Sequence, residues 1–125
     1  MVIYLIEDDE IYAEFIRRSL SKNPEFKITH FGSAEACESN LNGGADAFII
    51  DYKLPGKTGI DFFESIKPSI TDDSKVILMS AIDDGNMVLS FIQKGVRDYV
   101  IKDDSVVESL TAILEGKEDE YYLFS

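Results

Sequence analysis

The feature that most constrains this chain is a regular alternation of two periodicities. Short runs rich in β-branched and aromatic residues, at 2–6, 26–29, 47–50, 76–79 and 99–101, read as five strands. Between them apolar residues recur at helical spacing. Ile11 with Phe15, and Tyr12 with Ile16 and Leu20, mark the first helix, Phe62, Phe63 and Ile66 the third, and Val88, Leu89 and Ile92 the fourth. Ser33 is placed to cap the second helix, Pro68 to end the third, and Ser105 with Glu108 to form a capping box before the fifth. Strands that alternate with helices pair in parallel, because each right-handed crossover between parallel strands is filled by a helix. Runs 1, 3 and 4 are almost continuously apolar, as strands covered on both faces are. The expected fold is α/β, a three-layer (βα)₅ sandwich around a parallel five-stranded sheet.

A chain of 125 residues, 45% hydrophobic and 29% charged, suits one soluble globular domain with a real core. Twelve basic against 24 acidic residues give a formal charge of −12, which argues against direct binding of nucleic acid or anionic lipid. The single cysteine, Cys37, cannot form an internal disulfide and reads as an unreactive filler, which fits a reducing compartment. The start, MVIYLIEDDE, has no basic leader and its apolar run is too short to span a membrane. A cytoplasmic location with no membrane partner is expected. Composition shifts only after Gly116.

Parallel sheets of this kind carry their sites at the carboxyl ends of the strands. Glu7, Asp8, Asp9 and Glu10 follow strand 1, Asp51 follows strand 3, Ser80 strand 4 and Lys102 strand 5. A charge run is ordinarily solvated, and Asp9 or Glu10 suits the cap of the first helix. Glu7 and Asp8 fall at the very end of a buried strand and would point into the cleft. If strands 1 and 3 are neighbours, Glu7, Asp8 and Asp51 converge, and carboxylates so close resist joint ionisation unless a cation offsets them. Mg²⁺ suits that set, because it takes hard oxygen ligands and is commonly held by one or two carboxylates and water. No His or Cys pair has zinc-like spacing, and His30 reads as a structural or surface residue. Taken singly, Tyr99 reads as core, Lys102 as a solvated charge and Ser80 as a helix cap.

Other α/β chemistries fit this edge poorly. A Rossmann or P-loop site needs glycines after strand 1, where four acids would repel phosphate. No G-x-S-x-G elbow is present. A phosphatase with an aspartyl nucleophile would show a second Asp two residues past Asp51, and Lys53 stands there.

Four segments in order, IYLIEDD, IIDYKLPGKTG, ILMSA and GVRDYVIKDD, resemble the response-regulator receiver family of two-component signalling over residues 1–115. Residues 116–125 then form a C-terminal tail or the start of a linker. The resemblance implies a flavodoxin-like sheet of order 2-1-3-4-5. It matches Asp51 to the phosphoacceptor, Asp8 to the direct Mg²⁺ ligand, and Glu7 to an acidic partner acting through water. Lys53 matches the position whose backbone carbonyl completes the metal sphere, and Mn²⁺ is an accepted substitute. Ser80 matches the hydroxyl that bonds the phosphoryl group, Lys102 the lysine that contacts it, and Tyr99 the aromatic that changes exposure on activation. Pro55, Gly56 and Gly59 resemble the loop beyond the acceptor.

The implied function is transfer of a phosphoryl group from the phosphohistidine of a sensor kinase, or from a phosphotransfer protein, to Asp51. The chain would then switch a protein-interaction surface, with homodimerisation on phosphorylation among the implied partnerships. No enzymatic turnover is expected beyond self-phosphoryl transfer and autodephosphorylation. A pseudo-receiver scaffold that binds without phosphorylation and a Mg²⁺-dependent aspartyl phosphatase stay open. Two departures from the family pattern stand out. Asp103 follows Lys102 where a proline with a cis bond is frequent, so no cis bond is assumed. The positions that tune hydrolysis are Lys53 and Ile82, neither an obvious water-orienting side chain.

Overall fold

The computed structural model describes residues 1–41, 44–71, 73–81 and 85–117. Five strands, β1 (Val2–Ile6), β2 (Lys27–Phe31), β3 (Ala47–Asp51), β4 (Lys75–Ser80) and β5 (Asp98–Ile101), alternate with five helices. These are α1 (Glu10–Leu20), α2 (Ala34–Glu38), α3 (Gly59–Ile66), α4 (Gly85–Gln93) and α5 (Val106–Leu114). The strands form one parallel sheet in the order β2-β1-β3-β4-β5, the expected topology.

Because side chains alternate across a strand, each inner strand feeds two cores. Ile3, Leu5, Ala47, Ile49, Ile77 and Met79 face α1 and α5, where Ile16, Leu20, Leu110 and Ile113 meet them. Ile6, Phe48, Ile50 and Leu78 face the other way, onto Cys37, Phe62, Ile66 and Phe91 of α2, α3 and α4. Every residue of β3 is buried, which explains its unbroken apolar run. Removing a fully buried ring such as that of Phe48 costs about 3–5 kcal/mol. Burial also pushes the Cys37 thiol up to about 12, with Glu38 adding to the effect, as an inert filler requires.

The helices begin where their caps stand. The Asp9 carboxylate accepts from the Tyr12 amide at 3.0 Å, the Ser33 hydroxyl from Ala36 at 3.1 Å, and the Thr58 hydroxyl from Asp61 at 3.2 Å. The α-helical part of α3 stops at Ile66, and Pro68 lies in the 3₁₀ turn Lys67–Ser69 that follows.

Several expectations need correction. The box of Ser105 and Glu108 does not form, since Ser105 makes no side-chain cap bond and its amide instead donates to Asp103 Oδ1 at 2.9 Å. In α1 the buried residues are Ala13, Ile16 and Leu20, while Ile11 and Phe15 lie at the surface. In α4 only Phe91 is buried, and Leu89 and Ile92 are exposed. The edge strand β2 runs two residues past its expected end, to Phe31. Gly59 opens α3 instead of lying in a loop. Before it, Lys53–Leu54 and Lys57–Thr58 pair antiparallel around Pro55 and Gly56, with Gly56 at φ 82°, a conformation that glycine adopts without a Cβ penalty. Ile82 and residues 118–125 lie outside the described residues.

Candidate functional site

Among the described residues the buried polar or charged ones are Glu7, Asp51 and Ser80, and all three stand at the carboxyl edge of the sheet. Topology brings them there. Ile6 lies opposite Ile50, so the residues that follow, Glu7 and Asp51, flank each other, and Asp51 lies opposite Met79, one residue before Ser80. Burying carboxylates without partners is costly, so the informative question is what compensates them.

Lys102 compensates in part. From the end of β5 its ammonium reaches Glu7 Oε1 at 2.6 Å and Asp51 Oδ1 at 3.2 Å. Its amide donates to the Ser80 carbonyl at 2.8 Å, which fixes the root of the side chain. Burial works against the Lys102 charge, yet the bond to Glu7 and the charges of Asp51 and Glu7 outweigh it and hold its pKa above the ordinary value. Glu7 is also pushed up, first by burial and then by the hydrogen bond with Asp51, with Lys102 pulling the other way. Two buried carboxyl groups thus share one ammonium.

Asp8 completes the set from the solvent side. It is exposed, and one carboxylate oxygen from each of Glu7, Asp8 and Asp51 lies within 4.8 Å of the others. Three hard oxygen donors with surplus negative charge and an open side fit a hydrated divalent cation such as Mg²⁺ or Mn²⁺, and lack the nitrogen or sulfur ligands that zinc prefers.

The backbone around the acids is held from two sides. The Glu7 amide donates to the Phe31 carbonyl at 3.1 Å, and His30 Nε2 lies 2.7 Å from the Glu7 carbonyl, so that nitrogen carries the proton. The Asp9 amide donates to Glu7 Oε2 at 3.3 Å. On the other side Gly59 packs against the acceptor strand, where a Cβ would stand 2.3 Å from the Asp51 carbonyl oxygen. A glycine is therefore required at 59 by close approach, irrespective of its φ.

The remaining residues singled out in the sequence are placed as follows. Lys53 is exposed and pairs with Thr58, so its side chain is not part of the buried cluster. Tyr99 is half-buried, opposite Leu78 in the sheet, with its ring 5.8 Å from that of Phe91. Phe91 also meets Tyr52, the neighbour of Asp51, at 5.4 Å. The Lys102–Asp103 peptide is trans. Sequence reasoning missed Tyr12, whose ring lies 4.5 Å from the Lys102 ammonium, because the two are far apart in the chain. It read His30 as a structural or surface residue and had no means to name Glu7 as its partner. A cleft of about 750 Å³ lined by Lys67, Thr71, Lys75 and Arg97 lies toward the opposite edge of the sheet, away from these acids.

Known proteins give the family and the fold. The family model of the response regulator receiver domain matches residues 3–115. The chain is 24% identical over 119 residues to the transcriptional regulatory protein DegU of Brevibacillus brevis, covering 91% of this chain and 50% of that protein. It is 28% identical over 111 residues to the response regulator MprA of Mycobacterium avium (strain 104), covering 88% and 48%. The chain therefore spans about half the length of these curated relatives. Among solved structures, the receiver domain of the Francisella response regulator 1452 superimposes with a TM-score of 0.81 at 21% identity, covering 96% of this chain and 98% of that one. A two-component response regulator from Clostridium difficile gives 0.83 at 19% identity, covering 94% of each chain.

Proposed function

Because this chain belongs to the response regulator receiver family, the phosphoacceptor domain of two-component signalling, we propose that Asp51 is the carboxylate that takes the phosphoryl group. The observation that carries the assignment is its position: a buried carboxylate at the end of the central strand, beside Glu7 and Asp8 and in contact with Lys102. Asp8, Glu7 and Asp51, with the Lys53 backbone carbonyl, are the residues to hold Mg²⁺ or Mn²⁺. That ion, when bound, neutralises charge on the phosphoryl oxygens.

Receiver domains take their phosphoryl group from histidine kinases or phosphotransfer proteins. Here a carboxylate oxygen of Asp51 attacks phosphorus, the bond to the donor imidazole nitrogen breaks, and the electron pair stays on the imidazole. The protein's contribution is position and charge. Lys102 already lies 3.2 Å from Asp51 Oδ1, where it can meet the transferred group, and the Ser80 hydroxyl serves as its hydrogen-bond donor. A contact made by Ser80 only after transfer favours the phosphorylated conformation, and Tyr99 turns inward with it. Hydrolysis of the acyl phosphate by the domain itself resets it.

The receiver unit is assigned to 1–115, with 116–125 as its tail or the start of a linker, in a cytoplasmic protein. Its partners are a sensor histidine kinase or phosphotransfer protein and, once phosphorylated, a second copy. With a charge of −12 nucleic acid is not a direct partner, and no helix among the described residues is long and apolar enough to cross a membrane.

The test is intact-mass analysis after incubation with a small acyl phosphate and Mg²⁺. One phosphoryl group is expected on the native chain and none on Asp51→Asn. Equal labelling of Asp51→Asn would overturn the acceptor, and unchanged labelling in excess chelator would remove the metal. Sustained turnover of an added phosphoester would point instead to a phosphatase.

A further inference from the structure

Among the described residues the Lys102 ammonium has three close side-chain partners, and one of these keeps its character when a phosphoryl group arrives. Glu7 Oε1, at 2.6 Å, and Asp51 Oδ1, at 3.2 Å, are carboxylates claimed by the metal and by phosphorus under the function proposed above. The third partner is the face of the Tyr12 ring, 4.5 Å from the ammonium. An aromatic face attracts a cation through its quadrupole and carries no net charge. It therefore holds the ammonium equally before and after the carboxylates change partners.

Tyr12 is placed for this by the start of α1. Its amide donates to the Asp9 cap at 3.0 Å, and its ring leans on Phe15 at 5.9 Å. Its hydroxyl is buried and has no hydrogen-bond partner among the described residues. An unpaired buried hydroxyl weakens a fold, so the contribution of this side chain to its surroundings lies in the ring.

We propose that Tyr12 is a positioning residue for Lys102, keeping its ammonium at the pocket while it exchanges Glu7 for a phosphoryl oxygen. The stem of lysine has four rotatable carbons, and an ammonium released from Glu7 without a second support would be drawn into water. The ring removes that loss by orienting the charge in advance. This inference rests on the role given to Lys102 in the proposed function.

The experiment titrates beryllofluoride, a non-transferable stand-in for the phosphoryl group, by fluorine NMR at saturating Mg²⁺. The proteins are the native chain, Tyr12→Phe, Tyr12→Leu, Lys102→Ala and the double variant Tyr12→Leu/Lys102→Ala, each also melted in urea. A cation–π contact corresponds to roughly two- to thirtyfold in an equilibrium constant, so Tyr12→Leu is expected to bind about fivefold more weakly. Tyr12→Phe keeps the ring and should bind within about twofold of the native chain, with stability equal or higher. On the Lys102→Ala background, Tyr12→Leu should have no further effect. Equal weakening on both backgrounds would overturn the proposal, since Tyr12 would then act by packing. Native affinity in Tyr12→Leu would do the same while leaving the role of Lys102 intact. Native affinity in Lys102→Ala would overturn the role of Lys102 and that of Tyr12 with it.

Discussion

Replacing Lys102 by methionine tests the electrostatics of the pocket without any phosphoryl donor. Methionine keeps much of the stem and removes the charge, leaving Glu7, fully buried, and Asp51, 5% exposed, without a cation. A unit charge about 3 Å away is worth roughly 5 kcal/mol at an effective dielectric near 20, so two such contacts set a large gross loss. Protonation limits it. Holding a proton on Glu7 costs about 1.4 kcal/mol for each pH unit above the ordinary carboxylate value of 4.5, or about 4 kcal/mol near pH 7.5. The native pocket already pushes Glu7 upward, so the expected penalty in chelator near pH 7.5 is about 2–4 kcal/mol, in line with the loss of one partner from a buried ion pair.

The sign of the pH dependence follows from the same group. With its folded pKa raised above the unfolded one, Glu7 favours the folded state below about 4.5, and that advantage is lost as pH rises toward its folded value. Lys102→Met raises that folded value further, so its penalty should shrink to about 1 kcal/mol near pH 5.5. Mg²⁺ returns positive charge to the acids and should narrow the gap near pH 7.5. Urea melts of both proteins at the two pH values, with chelator and with Mg²⁺, supply the numbers. A penalty of the same size at both pH values, untouched by Mg²⁺, would refute the reasoning and mark Lys102 as a packing residue.

Asp8→Asn should abolish the Mg²⁺-dependent rise in melting temperature and leave the metal-free protein somewhat more stable than the native chain, because the Asp8 carboxylate stands within 4.8 Å of those of Glu7 and Asp51, with solvent screening the gain; thermal melts with chelator and with Mg²⁺ decide it. Gly59→Ala forces a Cβ against the Asp51 carbonyl and should cost roughly 1–3 kcal/mol in a urea melt and slow labelling of Asp51. Ser33→Ala should cost about 1 kcal/mol through its lost cap bond, whereas Ser105→Ala, which loses none, should stay within about 0.5 kcal/mol of the native value in the same melts.

The ends of the inner strands were legible because inner parallel strands leave an unbroken apolar signature that stops where the strand stops, whereas the strand order that makes Glu7, Asp8 and Asp51 meet was implied by the family resemblance. β1 was read to the residue for that reason. The edge strand was not: β2 has no buried residue, and its last two residues, His30 and Phe31, lie past the run that marks it. The pair Lys53–Leu54 and Lys57–Thr58 is too short to carry any period. Helix existence was legible from spacing, but the choice of face in α1 and α4 was not, since Ile11, Leu89 and Ile92 are as apolar as the buried residues beside them. Ser105 matched a capping pattern that Asp103, two residues earlier, displaced by taking the amide. Contacts between distant parts of the chain, such as Tyr12 with Lys102 and His30 with Glu7, leave no local mark in a sequence.

The two bonds that hold Glu7 to β2 have a bearing on how firmly the pocket is kept. Outer strands open more readily than inner ones, through local fluctuations that leave the rest of the molecule folded. Glu7 gives its amide to Phe31 and receives the His30 ring on its carbonyl, so its constancy is borrowed from the hem of the sheet. An opening of β2 too small to register in a global melt would remove these two backbone bonds and leave Glu7 held through its carboxylate, by Lys102 and the Asp9 amide. The dependence runs in both directions, since whatever binds to Glu7 must quiet the hem. Amide exchange at Thr29, His30 and Phe31 should therefore slow when Mg²⁺ is added, although none of the three reaches the ion, and unchanged exchange there would show that the acid stands without its neighbour.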